Sequence, residues 1–296
     1  MIKAELLYRC ADMTGESATW LQERESFLWV DIDRGILHRL EYRTMEVVDC
    51  HLPEMVTSII PWSDHENEVI LAMKNRLVSF NLANESFRTV VDLASLSPDL
   101  RTNDCKACPS GRIWCGIMGI KENDSNGFLF RIDNNLAITK VLNHQSIPNG
   151  IVWNASGDRM YYADSGRHCV EEFSYSLASG EIAFVRTALH IPENLGVPDG
   201  MTIDMDGNLW IAHWGGGGVY IWNPDSGVLI DTIEVPVPNV ASCTFGGKDG
   251  RELFITTAID GLTKDLIDKY PLSGSLFIAD VPWARPGQNH YPFIKK

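Results

Sequence analysis

The sequence predicts an all-β protein, a six-bladed β-propeller with four-stranded blades that forms a single domain over residues 1–296. Three observations predict this fold. Helix signals are nearly absent, and strongly apolar strands recur at a near-constant spacing. Turns of polar residues separate each strand from the next. Four strands per unit at a period of about 40–50 residues are typical of propellers. A two-sheet sandwich does not require so regular a spacing.

The strongest strands define the six repeats. Each is a short apolar run, and their starts lie about 42–49 residues apart. They occupy residues 27–31, 69–73, 113–116, 160–163, 209–212 and 253–256. A further strand follows each of them, at residues 36–40, 76–80, 128–132, 170–175, 219–222 and 275–278. Only residues 260–270 resemble a short helix, and no linker or change of composition divides the chain.

Charge and composition limit the kinds of partner. The net charge of −14 disfavours nucleic acid, whose binding requires basic groups that neutralise phosphates. The sequence contains no run of about 18 apolar residues, so it does not predict a membrane span. The N-terminal residues lack the long apolar stretch of a signal peptide, which favours a cytoplasmic location. Seven cysteines without even spacing do not predict a disulfide framework. We expect a monomer or a weak homo-oligomer.

A polar residue recurs at one position of the repeat, eight residues before the turn that closes the first hairpin. The residues are Glu16, Asn103, Asn149, Asp199 and Ser242, and the equivalent in the second repeat lies near Ser58 or Ile59. Equivalent residues of successive blades lie at the same radius and height. The first four are therefore expected to converge at the mouth of the central channel.

Converging carboxylates predict a cation. Two carboxylates in a partly buried site repel each other and lose hydration, and a bound cation removes both penalties. Carboxylate and amide oxygens suit Ca²⁺, Mg²⁺ or Mn²⁺, and Zn²⁺ and Fe²⁺ also accept them. The alternative is that Asn149-Gly150 and Asp199-Gly200 are hairpin turns, because these dipeptides are strong turn signals. The pattern by itself leaves both interpretations open.

Several motifs resemble one family. They are Gly15-Glu-Ser-Ala-Thr-Trp20, Arg101-Thr-Asn-Asp-Cys-Lys106, Gly116-Ile-Met118 and Pro198-Asp-Gly-Met201. Together they resemble the family of regucalcin (senescence marker protein), gluconolactonases and sugar lactone lactonases over most of the chain. Two departures stand out. Ser17-Ala18 replaces the Gly-Pro of the family's opening motif, and Cys105 replaces a glycine.

The resemblance implies a set of site residues. It implies one divalent metal ion (Ca²⁺, Zn²⁺, Mg²⁺, Mn²⁺ or Fe²⁺) in the channel, bound by Glu16, Asn149 and Asp199. Arg101 and Asn103 match the family's substrate-contacting pair. Lys121 lies where many relatives place acidic residues that reach the substrate, so it is a further predicted substrate-binding residue.

The function that this resemblance implies is metal-dependent hydrolysis of a sugar-acid lactone, an aldonolactone such as gluconolactone, to the free sugar acid. Asp199 would be both a metal ligand and the catalytic base. The partner would be this small-molecule sugar lactone. The alternative is a non-catalytic propeller of the regucalcin type that binds Ca²⁺ or a metabolite. A protein-interaction propeller without metal is disfavoured, since Glu16, Asn149 and Asp199 occur together.

Overall fold

The chain forms six β-sheets arranged as the blades of a ring, which confirms the predicted six-bladed β-propeller. The computed structural model describes residues 2–63, 65, 67–93, 95–120, 126–287 and 290–296. Alternating apolar residues and polar turns produce strands that are buried near the axis and more exposed at the rim. None of the helices among these described residues has the length and apolar character needed to span a membrane.

The strands follow the sequence in blade order. The first two, β1 (Ile2–Lys3) and β2 (Glu5–Tyr8), precede blade 1. Blades 1 and 2 contain β3 (Gly15–Leu21), β4 (Ser26–Asp31), β5 (Ile36–Glu41) and β6 (Glu46–His51), then β7 (Val56–Pro61), β8 (Glu68–Met73), β9 (Arg76–Asn81) and β10 (Phe87–Asp92). Blade 3 contains β11 (Leu100–Ala107), β12 (Ile113–Gly119), β13 (Gly127–Ile132) and β14 (Ile138–Gln145). In each of these blades the first strand lies innermost and the fourth outermost.

The second half of the ring repeats this order. Blade 4 contains β15 (Pro148–Trp153), β16 (Arg159–Asp164), β17 (Cys169–Tyr175) and β18 (Ile182–His190). Blade 5 contains β19 (Val197–Ile203), β20 (Leu209–Trp214), β21 (Gly218–Asn223) and β22 (Val228–Glu234), and blade 6 contains β23 (Val240–Gly246), β24 (Glu252–Thr257) and β25 (Leu276–Asp280). The α-helix, α1 (Lys264–Lys269), lies within the region where the sequence predicts one, between β24 and β25.

The N-terminal segment closes the ring. Strand β2 pairs antiparallel with β25 and becomes the outermost strand of blade 6, whose other three strands come from the C-terminal part of the chain. Strand β1 pairs in parallel with β22 and adds a fifth strand to blade 5. Closure therefore joins the two ends of the sequence by backbone hydrogen bonds, so the blades are held as one ring.

Side-chain hydrogen bonds link neighbouring blades near the axis, four of them from innermost strands and one from Ser165, which follows β16. Ser17 Oγ accepts from Ile59 N (2.8 Å), Ser58 Oγ donates to Asn103 O (2.8 Å), Asn103 Nδ2 donates to Pro148 O (2.8 Å), Ser165 Oγ donates to Pro198 O (2.6 Å) and Ser242 Oγ accepts from Ala18 N (3.2 Å). We call this set the inner belt. Buried hydrogen bonds of this kind are costly to break, so the belt fixes the inner strands relative to one another.

The C-terminal segment reinforces blades 2 and 3. Phe293 is fully buried, its ring centroid lies 6.0 Å from that of Trp62, and its backbone N donates to Pro61 O at 2.8 Å. Ile294 N then donates to Gly111 O in blade 3. The segment thus connects two blades that are distant from it in sequence.

Replacing Phe293 by Ala is expected to lower the free energy of unfolding by about 3–5 kcal/mol, the usual range for a buried phenylalanine. Urea denaturation followed by tryptophan fluorescence measures this. Val228→Ala is the control, because Val228 is 56% exposed on β22, and it should stay within about 0.5 kcal/mol of the parent. Equal effects of the two substitutions would contradict a structural role for the C-terminal segment.

Candidate metal and substrate site

All six innermost strands contain a β-bulge near the same height. The register shifts lie between Glu16 and Thr19, Val56 and Ser58, Thr102 and Cys105, Asn149 and Ile151, Pro198 and Met201, and Val240 and Ser242. A bulge bends its strand and changes the direction of a side chain. The repeated polar position of the sequence therefore coincides with the point where each inner strand departs from regular alternation.

The two Asx-Gly dipeptides lie inside strands. Asn149-Gly150 belongs to β15 and Asp199-Gly200 to β19, so the alternative of hairpin turns is wrong. Both positions require glycine because atoms of the neighbouring inner strand approach them closely. A Cβ on Gly150 would lie 2.6 Å from Asp199 O, and one on Gly200 would lie 2.6 Å from Ser242 Oγ. Glycine at these positions allows the neighbouring inner strands to come together, which brings their polar side chains to the axis.

The structure brings Glu16, Asn149 and Asp199 together at the base of an axial pocket of about 380 Å³. Their exposed fractions are 9%, 6% and 5%, and the charge of Glu16 raises the pKa of Asp199. Two larger cavities, of about 600 and 630 Å³, lie against outer strands, away from this cluster. The axial pocket is the better candidate site, because it holds the buried pair of acids.

Neighbouring groups orient the three side chains. Glu16 Oε2 accepts from Ser17 N at 2.8 Å. Asn149 Nδ2 donates to Ser165 Oγ at 3.0 Å, and that hydroxyl donates to Pro198 O. The amide nitrogen of Asn149 is thus used within the protein, which leaves its carbonyl oxygen as the atom for the pocket.

Burial makes the carboxylates costly to charge. It is the main cause that raises the pKa of Glu16 to about 7, and the charge of Asp104 raises it further. Burial, followed by the charges of Glu16 and Asp104, raises the pKa of Asp199 well above its ordinary value. Asp199 Oδ1 is also buried without a hydrogen-bond partner among the described residues. A cation bound here would supply the missing partner and the missing positive charge, so the three residues fit a divalent metal ion.

The three predicted substrate-binding residues differ in position and contacts. Arg101 lines the pocket, and its Nη1 donates to Asn103 Oδ1 at 2.7 Å and to Thr102 O at 2.9 Å. Asn103 also lines the pocket, but both ends of its amide are used, since Nδ2 donates to Pro148 O. Asn103 therefore holds Arg101 and β15 in place. Lys121 lies outside the described residues.

Sequence analysis missed two charged residues beside the cluster. Asp104 and Lys106 follow Asn103 on β11, and Lys106 Nζ donates to Met201 O of β19 at 3.0 Å. Burial lowers the pKa of Lys106, whereas the charges of Asp104 and Glu16 oppose that shift. Lys106 is a cation near the acidic cluster. The sequence does offer a sign of both residues, because charged residues are unusual within a strand expected to be innermost.

A closed six-bladed propeller with an acid–amide cluster at its axis defines the class of protein. The family profile described as SMP-30/Gluconolactonase/LRE-like region matches residues 14–259. The chain belongs to this family, as its motifs predict.

Individual relatives extend over nearly the whole chain. Regucalcin of Xenopus laevis is 30% identical over 283 residues, with 93% of each chain covered. The Bacillus subtilis protein YvrE, named as a candidate sugar lactone lactonase, is 30% identical over 267 residues, covering 90% of this chain and 91% of YvrE. Among solved structures, regucalcin of Agrobacterium tumefaciens, described as a calcium-binding protein, superposes with a TM-score of 0.92 at 25% identity, covering 99% of this chain and 97% of the other.

Proposed function

We propose that this protein hydrolyses a sugar-acid lactone, an aldonolactone such as gluconolactone, to the free sugar acid with the help of one divalent metal ion. One observation carries the proposal: the buried carboxyl groups of Glu16 and Asp199, the latter with an oxygen that has no hydrogen-bond partner among the described residues, line an axial pocket. Membership of the family and the similarity to YvrE support a lactone as the substrate.

The ion would be held by Glu16, Asn149 and Asp199, which offer two carboxylates and one amide oxygen. These hard oxygen donors suit Ca²⁺, Mg²⁺ or Mn²⁺ and also accept Zn²⁺ or Fe²⁺. When bound, such an ion supplies Lewis acidity that polarises a lactone carbonyl and eases the deprotonation of water. The carbonyl oxygen of Asn149 is directed to this role by the hydrogen bond from its Nδ2 to Ser165.

The protein's own groups would then position the substrate and move a proton. Asp199 accepts the proton of the attacking water on its carboxylate, as a general base. Arg101, held by Asn103, donates to oxygen atoms of the substrate. Addition of water to the ester carbonyl and cleavage of the ring C–O bond give a carboxylic acid and a hydroxyl group, so no further reactant is needed.

A second function is favoured by a specific observation. The similarity to regucalcin covers 93% of the chain for the Xenopus laevis protein, and the Agrobacterium tumefaciens structure is described as calcium-binding. A propeller of that type would bind Ca²⁺ or a metabolite without turnover. A cytoplasmic location and a monomeric or weakly associated state stay predictions for either function.

Removal and return of the metal separate the two functions. We expect protein treated with EDTA and dialysed to lose hydrolysis of D-glucono-1,5-lactone, measured as acid release with a pH indicator. Activity should return on titration with Ca²⁺, Mn²⁺ or Zn²⁺, because the buried carboxylates require a counter-charge. Full activity in protein shown to be metal-free by elemental analysis would contradict the proposal. Ion binding without turnover of any lactone would favour the non-catalytic function.

A further inference from the structure

Trp214 differs from the other tryptophans of the chain in its surroundings. Each of the others packs its ring against another aromatic ring, as Trp210 does against Phe245 at a centroid distance of 4.9 Å. The ring of Trp214 has no such partner in the described part of the chain, and it lines the axial pocket as a half-buried side chain. An indole that lines a concave pocket without a protein ring against it is available to a ligand.

The backbone around Trp214 is held on both sides. Trp214 ends β20, where it pairs with Val197 of β19, two residues before Asp199. It also forms an antiparallel bridge with Asn239, whose Nδ2 donates to Asp260 O at 2.8 Å. The indole is therefore attached to the same pair of strands as Asp199, so a ligand that contacts it lies beside the acidic cluster.

Polar groups from four other blades share the lining of the pocket with this indole and with several apolar side chains. Asp33 of blade 1 and Asp260 of blade 6 are exposed, which places them towards solvent. Arg101 of blade 3 and His168 of blade 4 are half-buried, and Nδ1 of His168 has no hydrogen-bond partner among the described residues. Carboxylates, a guanidinium and an imidazole can all form hydrogen bonds with hydroxyl groups.

A cyclic sugar has the surface that complements this arrangement. Its C–H groups form an apolar patch on a face of the ring, and its hydroxyl groups radiate from the ring edge. Covering an indole with the C–H patch removes apolar surface from water, while the edge hydroxyl groups reach the surrounding polar groups. A planar aromatic ligand can also stack, but it would desolvate those polar groups without replacing their hydrogen bonds, which costs binding free energy.

We infer that Trp214 is a substrate-binding residue that stacks against one face of a cyclic sugar lactone and so selects a hydroxylated ring as the substrate. The lactone carbonyl then lies at the Glu16–Asn149–Asp199 cluster, and the ring hydroxyl groups meet the polar groups of the other blades. This inference rests on the proposed function, because it concerns the substrate of that reaction.

Two substitutions at Trp214 test for an aromatic contact with D-glucono-1,5-lactone, using metal-loaded protein. Trp214→Leu removes the aromatic face and keeps an apolar side chain. We expect its KM to rise about 10-fold with kcat within about threefold, because stacking contributes to binding of the ring rather than to the chemical step. Trp214→Phe keeps an aromatic face, so its KM should stay within about threefold of the parent value. Trp283→Leu is the control and should change neither constant, because Trp283 is 48% exposed and packs on Trp210 outside the pocket.

Binding of a non-hydrolysable analogue gives a readout without turnover. D-Glucono-1,5-lactam keeps the ring and its hydroxyl groups and replaces the ester by an amide. Titration with it should change the tryptophan emission of the parent and of Trp283→Leu, but not that of Trp214→Phe, in which calorimetry verifies that the lactam still binds. δ-Valerolactam, which lacks the hydroxyl groups, should bind the parent at least about 10-fold more weakly. Circular dichroism and melting temperature verify that the variants are folded.

The possible failures are distinguishable. Equal KM values for Trp214→Phe and Trp214→Leu, or the same change of emission in the parent and in Trp214→Phe, would overturn the inference and leave the proposed function standing. No hydrolysis of any lactone by protein with one bound metal ion, with lactam binding that still depends on Trp214, would overturn the proposed hydrolysis and retain the sugar contact. Loss of both would overturn both.

Discussion

Replacing Asp199 by Asn is expected to reduce lactone hydrolysis by about 10³-fold or more and to stabilise the metal-free protein. The loss of activity follows because the variant lacks both the proposed base and one anionic metal ligand. The gain in stability follows from burial. The folded protein holds the carboxyl groups of Glu16 and Asp199 with raised pKa values, so it binds protons more tightly than the unfolded chain.

The size of this stabilisation depends on pH. Raised carboxyl pKa values mean that the free energy of unfolding falls as pH rises from the unfolded-state value of Glu16, 4.5, through its folded value of about 7. At pH 8, above the folded value of Glu16, most of the cost of charging Glu16 is present, and the uncharged amide introduced by Asp199→Asn removes the cost of charging the second buried carboxyl group. We expect the metal-free variant to be more stable than the parent by about 1–3 kcal/mol at pH 8. The difference should shrink towards pH 5.

Asp204 provides a matched control in the same blade. It is also buried, but its carboxylate accepts from Asp206 N, Asn208 N, Asn208 Nδ2 and Trp210 Nε1 at 2.8–3.0 Å. Asp204→Asn places a donor against those donors, so it should destabilise the protein by about 1–3 kcal/mol. Urea denaturation at pH 8 measures both variants. Destabilisation by Asp199→Asn of the same size as by Asp204→Asn would contradict the proposed electrostatic strain at the axis.

Divalent-ion affinity is expected to fall as pH decreases below about 7. Burial and the charge of Asp104 raise the pKa of Glu16 to about 7, so below that pH a proton occupies the group that must bind the ion. Each carboxyl group that has to release a proton weakens binding by about tenfold per pH unit. Calorimetric titration with Mn²⁺ should therefore show affinity at least about tenfold weaker at pH 6 than at pH 8.

Glu16→Gln tests the source of this pH dependence. The variant should bind Mn²⁺ more weakly at pH 8, because it lacks one anionic ligand, and its affinity should change less between pH 8 and pH 6. Thermal melting gives an independent readout, since an ion that binds only the folded state stabilises it by about 2.7 kcal/mol at 100 times Kd. Equal Mn²⁺ affinities of the parent protein at the two pH values would contradict the assignment of Glu16 as a ligand.

The repeat and the register of the polar residues could be predicted from the sequence for a physical reason. Inner strands of a propeller are equivalent, so residues at the same distance from the hairpin turn reach the same height. This equivalence predicts that Glu16, Asn149 and Asp199 converge, and the structure brings them together. The short helix is predictable because residues 260–270 depart from the strand pattern, and α1 lies within them.

Other features could not be predicted from the sequence, because they depend on contacts between residues that are far apart in the chain. Ring closure by β2 pairs residues near the two ends of the sequence, as with Leu6 and Phe277. The bulge between Thr102 and Cys105 interrupts the two-residue alternation of β11, so period alone does not show that Asp104 and Lys106 lie beside the acidic cluster.

Anomalous diffraction from crystals soaked in Mn²⁺ tests the central claim most directly. The claim is that oxygen atoms from blades 1, 4 and 5 bind a single divalent ion at the propeller axis. We expect one strong peak in the channel within about 2.0–2.6 Å of carboxylate oxygens of Glu16 and Asp199 and the amide oxygen of Asn149. Anomalous peaks confined to the outer surface at pH 8, with none beside the axial carboxyl groups, would contradict it.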